Sequence, residues 1–159
     1  MSSAPRPAGG ALSVGVACEG VRAPIAAHRL ADAARRVLRA EGVRAALVSV
    51  TLVSPSAMAR LNRRHLGHAG ATDVISFGFA PTPGTGVVGD VYICPDIARA
   101  NARAARCGVR EELLRLVVHG TLHVLGWDHP EDRAREASPM WRRQEALLAG
   151  LVRRPARPA

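Results

Sequence analysis

Residues 111–129, EELLRLVVHGTLHVLGWDH, decide how this chain folds. Leu113, Leu114, Leu116, Val117, Val118, Leu122 and Val124 leave almost no polar face, so Glu111 to Leu125 is expected to form a helix buried in the core. Gly126 follows where a left-handed residue would end that helix and turn the chain back. His119 and His123, four apart, share one helix face, and the turn at Gly126 would return His129 to the same point. Three imidazoles around a tetrahedral ion leave one position open, the arrangement of a catalytic rather than a closed structural zinc site. The competing reading is two core histidines and one surface histidine. Half of the chain's six histidines fall within these eleven residues, 119–129, with the turn residue between them, and this favours the metal. Ligand type and availability favour Zn2+, one ion, although imidazole also suits iron, copper and nickel.

The spacing is shared with zinc peptidases of the HExxHxxGxxH type, in which the Glu after the first His is the general base. Here that position is Gly120. Without the base, proteolysis is disfavoured even though the ligand spacing is the same.

Outward from this segment the pattern alternates. Ala11–Cys18 and the β-branched Ala45–Leu52 read as strands, and Pro24–Ala40, ending near Gly42, reads as a helix. Ser54 or Ser56 is placed to cap a helix reaching about Leu66. Thr72–Ala80 and Gly86–Cys94 flank PTPGT and are expected to form a hairpin. Asp96–Ala105 reads as a helix closing near Gly108, and Ser138-Pro139 as the cap and first position of a last helix to about Val152. The expected fold class is α+β, a single domain with about four strands and four or five helices.

At 159 residues the chain suits one domain with its own core. Residues 1–10, MSSAPRPAGG, read as a disordered tail without a signal-peptide apolar core, 11–152 as the hydrolase domain, and 153–159 as a basic tail. Hydrophobic residues make up 48% of the chain but are interrupted throughout, so a soluble protein with no membrane span is expected. Cys18, Cys94 and Cys107 are odd in number and lack CxxC spacing, which argues against disulfides and for a cytoplasmic location. The formal net charge is +9, and all 22 basic residues are arginine. Guanidinium groups grip phosphates in pairs of hydrogen bonds, so such a surface suits nucleic acid, and a solvated surface explains the charge as well.

HGTLHVLGWDH resembles the signature HGxLHLxGxDH of the bacterial YbeY endoribonucleases, differing at the fixed positions only in Val124. LNRRHLGHAGATDVISF at 61–77 is similar to that family's LNxxYRxxxxPTDVLSF, GDVYICPDIARANA at 89–102 to its GDIxIxxxxAxxxA stretch, and MWRRQEALL at 140–148 to its M-x3-QE-x2-L helix. The resemblance spans about residues 45–150. It implies a zinc-dependent enzyme acting on single-stranded RNA in ribosomal RNA maturation and ribosome quality control, with the ribosome or ribosomal proteins as partners. It also exposes a departure. The family's Tyr-Arg pair is His65-Leu66 here, and that arginine is associated with RNA handling. Arg63 and Arg64, a turn or less away, are weak substitutes, and a role as solvated helix residues is slightly favoured. Asp128 is a candidate general base, an acceptor that orients a ligand histidine, or a cap on the turn, and the latter two are favoured. Thr72, Asp73 and Ser76 are candidates for the cleft wall, Trp127 for base stacking or packing, and Met140 for a position beneath the metal or in the core. The missing arginine keeps a rival reading open: a ribosome-associated assembly or RNA-binding factor with a structural zinc and little nuclease activity.

Overall fold

The structure is a computed structural model that describes residues 11–152 except Thr82 and, for side chains, Arg133. The two expected tails lie outside the described residues. Ten elements follow in chain order: β1 (Leu12–Glu19), α1 (Ala27–Ala40), β2 (Ala46–Val53), α2 (Pro55–Leu66), β3 (Val74–Phe79), β4 (Val87–Ile93), α3 (Pro95–Ala105), α4 (Val109–Val124), a 3-10 turn (Arg133–Ala137) and α5 (Pro139–Val152). The α+β class, the four strands and the helix count are as the sequence indicated.

The four strands form one mixed sheet in the order β1-β2-β4-β3. β1 and β2 run parallel, as do β2 and β4, while β3 returns antiparallel to β4 with Val74 opposite Ile93. The β1–α1–β2 unit needs α1 as its crossover because parallel neighbours cannot be joined by a tight turn. α1 buries Leu30, Ala33, Ala34, Val37 and Leu38 on one stripe, the amphipathic pattern visible in the sequence. α4 closes over the same sheet face, so Val50, Leu52, Val91 and Ile93 meet Leu113, Leu114 and Val117 in the main core. α5 lies against α4 through Met140, Leu147 and Leu148.

Some element ends match the sequence expectation and others differ, for local reasons. Ser54, not Ser56, caps α2, its Oγ accepting the Ala57 N–H at 3.2 Å. The end of α3 is made by Arg106 in a left-handed conformation (φ 55°), whereas Gly108 (φ −74°) is the extended cap of α4. A glycine was therefore not the stop signal there. Its neighbour Cys107 instead donates its N–H to Ala102 O at 3.0 Å, closing the helix end with backbone alone. The 3-10 turn at 133–137 was not expected. Ser138 caps α5 as expected, accepting the Trp141 N–H at 3.2 Å.

Among the described residues no helix is long and apolar enough to cross a membrane, and the three cysteines are unpaired.

Candidate functional site

α4 is buried over Leu113–Leu122 apart from Arg115, so its position is fixed by packing rather than by solvent. It approaches the sheet at Gly120, where a Cβ would lie 2.6 Å from Val91 Cγ1. A glutamate at 120 would be driven into the sheet, a packing reason for the glycine that also removes the peptidase base. At the helix end the Gly126 N–H bonds His123 O at 2.9 Å and the Trp127 N–H bonds Leu122 O at 3.1 Å. That pair of bonds is the Schellman arrangement, and it requires the left-handed Gly126 (φ 95°). The chain then reverses and carries His129 back over His119 and His123.

One nitrogen from each of the three rings lies within 4.8 Å of the other two. Their ring centroids are 4.6, 5.0 and 4.9 Å apart. Each Nδ1 faces an oxygen that accepts: Gln144 Oε1 at 2.6 Å for His119, Trp127 O at 2.8 Å for His123 and Pro130 O at 2.8 Å for His129. A backbone carbonyl offers no proton, so His123 and His129 carry theirs on Nδ1. The Gln144 amide oxygen imposes the same tautomer on His119. All three Nε2 atoms are thereby left as lone pairs. The 3.3 Å between Nε2 of His119 and Nε2 of His129 is then not a hydrogen bond but two acceptors facing each other. A cation between them resolves the repulsion, and a tetrahedral ion with bonds of about 2.0–2.1 Å spaces its nitrogens roughly 3.4 Å apart. The donor set therefore fits a metal ion with the chemistry of zinc.

Burial pushes the His119 imidazole down to about 3, with the neighbouring His123, Arg135 and His129 adding to the effect and Gln144 opposing it. Burial also lowers His123, reinforced by His129 and opposed by the Trp127 carbonyl. Both rings are thus neutral at physiological pH, the state a metal ligand needs.

The histidines open into a cavity of about 490 Å3, whose walls include Leu66, Thr72, Asp73, Ser76, Asp128 and Arg135. Thr72, Asp73 and Ser76 are where the sequence put them, on the cleft wall. Asp73 is held there by Asn101 Nδ2 at 2.9 Å. Asp128 Oδ1 accepts the His129 N–H at 2.8 Å, capping the turn that delivers the third histidine. Trp127 packs with Val118, Leu122 and Met140, its Nε1 pointing to Glu41 at 3.4 Å, so it is a packing residue. Met140 is in that same core cluster. Leu66 lines the cavity but Arg63 and Arg64 do not. Arg64 lines a different cavity with Arg60, Glu19 and Tyr92.

Two residues were missed as site components. Gln144 is 1% exposed on a face of α5 otherwise apolar, with Met140 one turn before it and Leu147 and Leu148 one turn after. A lone amide on an apolar stripe is the signal that would have marked it. Arg135 lies in the unexpected 3-10 turn and carried no sequence signal.

A second cavity of about 600 Å3 lies behind His119 and shares Asp73, His119 and Arg135 with the first. It is lined by Arg115, which meets Glu112 at 2.8 Å, Glu145 at 3.1 Å and Glu111 at 3.8 Å. Burial pulls the Arg115 guanidinium down, but Glu145 and Glu112 more than reverse this and hold it firmly protonated. Glu112, in contrast, is held above the usual carboxylate range, because burial costs it more than Arg115 returns.

Comparison with known proteins settles the family. Residues 18–152 match the family described as Endoribonuclease YbeY. The chain belongs to the YbeY family. An Endoribonuclease YbeY from Frankia casuarinae is 41% identical over 151 residues, covering 87% of this chain and 74% of the relative. One from Thermobifida fusca is 41% identical over 140 residues, covering 82% and 88%. Among solved structures, the solution structure of a Thermotoga maritima protein superposes with a TM-score of 0.58 at 26% identity, covering 87% of this chain and 88% of that one. The YbeY relatives carry the name of a nuclease, and the three-histidine cavity is the part of this chain that fits such chemistry.

Proposed function

We propose that this chain is a zinc-dependent endoribonuclease that cleaves single-stranded RNA, with ribosomal RNA maturation and ribosome quality control as its setting and the cytoplasm as its location. The observation that carries the reading is the convergence of three Nε2 lone pairs, each fixed by a hydrogen bond at Nδ1, on one wall of an open cavity. His119, His123 and His129 would hold the ion, which when bound supplies Lewis acidity to a phosphodiester.

The protein's own contribution is orientation. Gln144 and the Trp127 and Pro130 carbonyls lock the three rings, so no reorganisation is needed when the ion or the substrate arrives. Asp128 holds the turn, and Asp73, fixed by Asn101, presents a carboxylate to the cavity. The basic surface favours a polyanionic substrate, and an open cavity admits an unpaired strand more readily than a stiff duplex.

The test is cleavage of a single-stranded RNA by purified protein, with and without chelator, beside His123→Ala. Chelator-sensitive cleavage that is lost in the variant is the expected result. RNA binding without cleavage at any zinc concentration would replace this reading with that of an assembly factor whose zinc is structural. End-group analysis then separates routes: a 2′,3′-cyclic phosphate marks attack by the RNA's own 2′-hydroxyl, and a 5′-phosphate marks attack by water.

A further inference from the structure

Four of the described arginines have carboxylate partners. Arg35 pairs with Asp32, Arg99 with Asp96, Arg143 with Glu41, and Arg115 with three glutamates. Arg135, like most of the other described arginines, is without such a partner, and what sets it apart is where it lies and what is buried. It stands on the wall between the two cavities, and among the described residues its side chain makes no ion pair although Asp73, Asp128 and Glu131 share the histidine cavity with it. Its Nε is buried with no acceptor. A donor atom removed from water and left without an acceptor is costly, so an arrangement of this kind persists where a ligand completes it. The guanidinium is not loose, because its Cζ lies 5.8 Å from the centre of the Trp141 ring, within cation–π range. Trp141 thereby acts as a shelf that orients the planar group.

The carboxylates nearby are otherwise engaged or exposed. Asp73 accepts from Asn101, Asp128 caps the His129 N–H, and Glu131 is exposed. The three histidines line the same cavity. Once they hold a cation, a positive ion and a guanidinium face each other over the same space, and the species that relieves this repulsion is an anion lying between them. An RNA phosphodiester has the required charge and two free oxygens for a forked donor.

We propose that Arg135 is the residue through which this chain grips the RNA phosphodiester beside the three histidines. The inference rests on the reading of the site given above and adds to it the anion-binding group. Leu66, on another part of the cavity wall, brings no charge there, so Arg135 supplies the cavity's guanidinium from the 3-10 turn that follows His129.

The experiment measures binding of a fluorescent single-stranded RNA oligonucleotide to the zinc-loaded full chain by anisotropy across a series of KCl concentrations, together with single-turnover cleavage. The variants are Arg135→Gln, Arg135→Lys and Arg135→Met, the last keeping contact with Trp141 while removing the charge. Arg44→Gln, at the far end of the β2–β4 ladder from the cavity, controls for net charge. The expected result is a fall in the log–log salt slope of about 0.7, one phosphate contact on a single strand, for Gln and Met but not for Lys. Cleavage should fall roughly 10- to 100-fold in Gln and Met, and Lys should recover part of it, because an ammonium restores charge but not the fork. Zinc content and Tm of the Met variant should match the parent. An unchanged slope in both neutral variants, or an equal change in Arg44→Gln, overturns the proposal, as does a parent protein that does not bind RNA. A parent that binds RNA with the expected slope change but never cleaves would leave Arg135 as the phosphate grip and overturn only the nuclease reading.

Discussion

The two cavities that meet at His119 are built from similar polar material and end in opposite states. Behind His119, Arg115 and its glutamates satisfy one another, and the charge stays inside the protein. In front of it, three imidazoles turn their donors toward the protein and their lone pairs toward the open space, and Arg135 has no carboxylate of its own. The first arrangement serves stability and placement. It ties α4 to α5. The second is incomplete without something from solution, and that incompleteness is what distinguishes a site from a well-packed polar core.

This contrast breaks most sharply at the front cavity. His129→Ala removes the proposed ligand delivered by the turn, and is expected to lower zinc affinity and RNA cleavage by roughly 100-fold or more while leaving the α4–α5 contacts in place. Metal analysis after dialysis against a weak chelator, beside a cleavage assay, reads this. Retention of stoichiometric zinc would show that His129 is not a ligand.

Next in size is Arg115→Ala. Removing the shared partner strands Glu112 and Glu145, and unfolding in urea should show a loss of about 3 kcal/mol, the low end for a buried network because Glu145 is partly exposed. Zinc affinity per folded molecule should change little. If zinc affinity fell as steeply as stability, the two cavities would be one functional unit.

Gln144→Leu sits between the two regions. It fills the same space without the Nδ1 partner of His119, so zinc affinity measured by competition with a chromophoric chelator should drop about 10- to 100-fold. Stability of the metal-free protein should move far less.

Acid gives the gentlest perturbation. His119 and His123 have pKa values lowered in the folded protein, His119 to about 3, so the unfolded chain takes up protons first as pH falls. Their contribution to the stability of the metal-free protein is full above the ordinary histidine value near 6.5 and declines from there toward about pH 3. Urea midpoints of the metal-free protein at pH 7 and pH 5 should fall in that order. Zinc should reduce the pH dependence until protons displace it. An apo-protein as stable at pH 5 as at pH 7 would mean that the rings titrate freely.

Much of this was legible in the chain itself. The helix carrying the histidines, its buried character, the left-handed Gly126 and the spacing that brings three rings together all follow from periodicities of a few residues, where local sterics dominate. The hairpin around PTPGT and the cap at Ser138 were readable for the same reason. The sequence could not say that β4 inserts between β2 and β3, because strand order depends on which apolar faces meet after collapse. Nor could it show that Arg106 rather than Gly108 ends α3, since the αL position there is set by how α4 packs.

Most telling is the fate of the arginines. In the sequence all 22 are equivalent charges, and Arg63 and Arg64, nearest the family's missing position, were only weak substitutes. Folding turned Arg64 toward a different cavity, consumed Arg115 in an internal network, and left Arg135 facing the histidines. Ligand spacing along one helix is a local property, and the sequence determined it. Whether a charge is neutralised or left available depends on neighbours far away in the chain, so only the tertiary structure decided it.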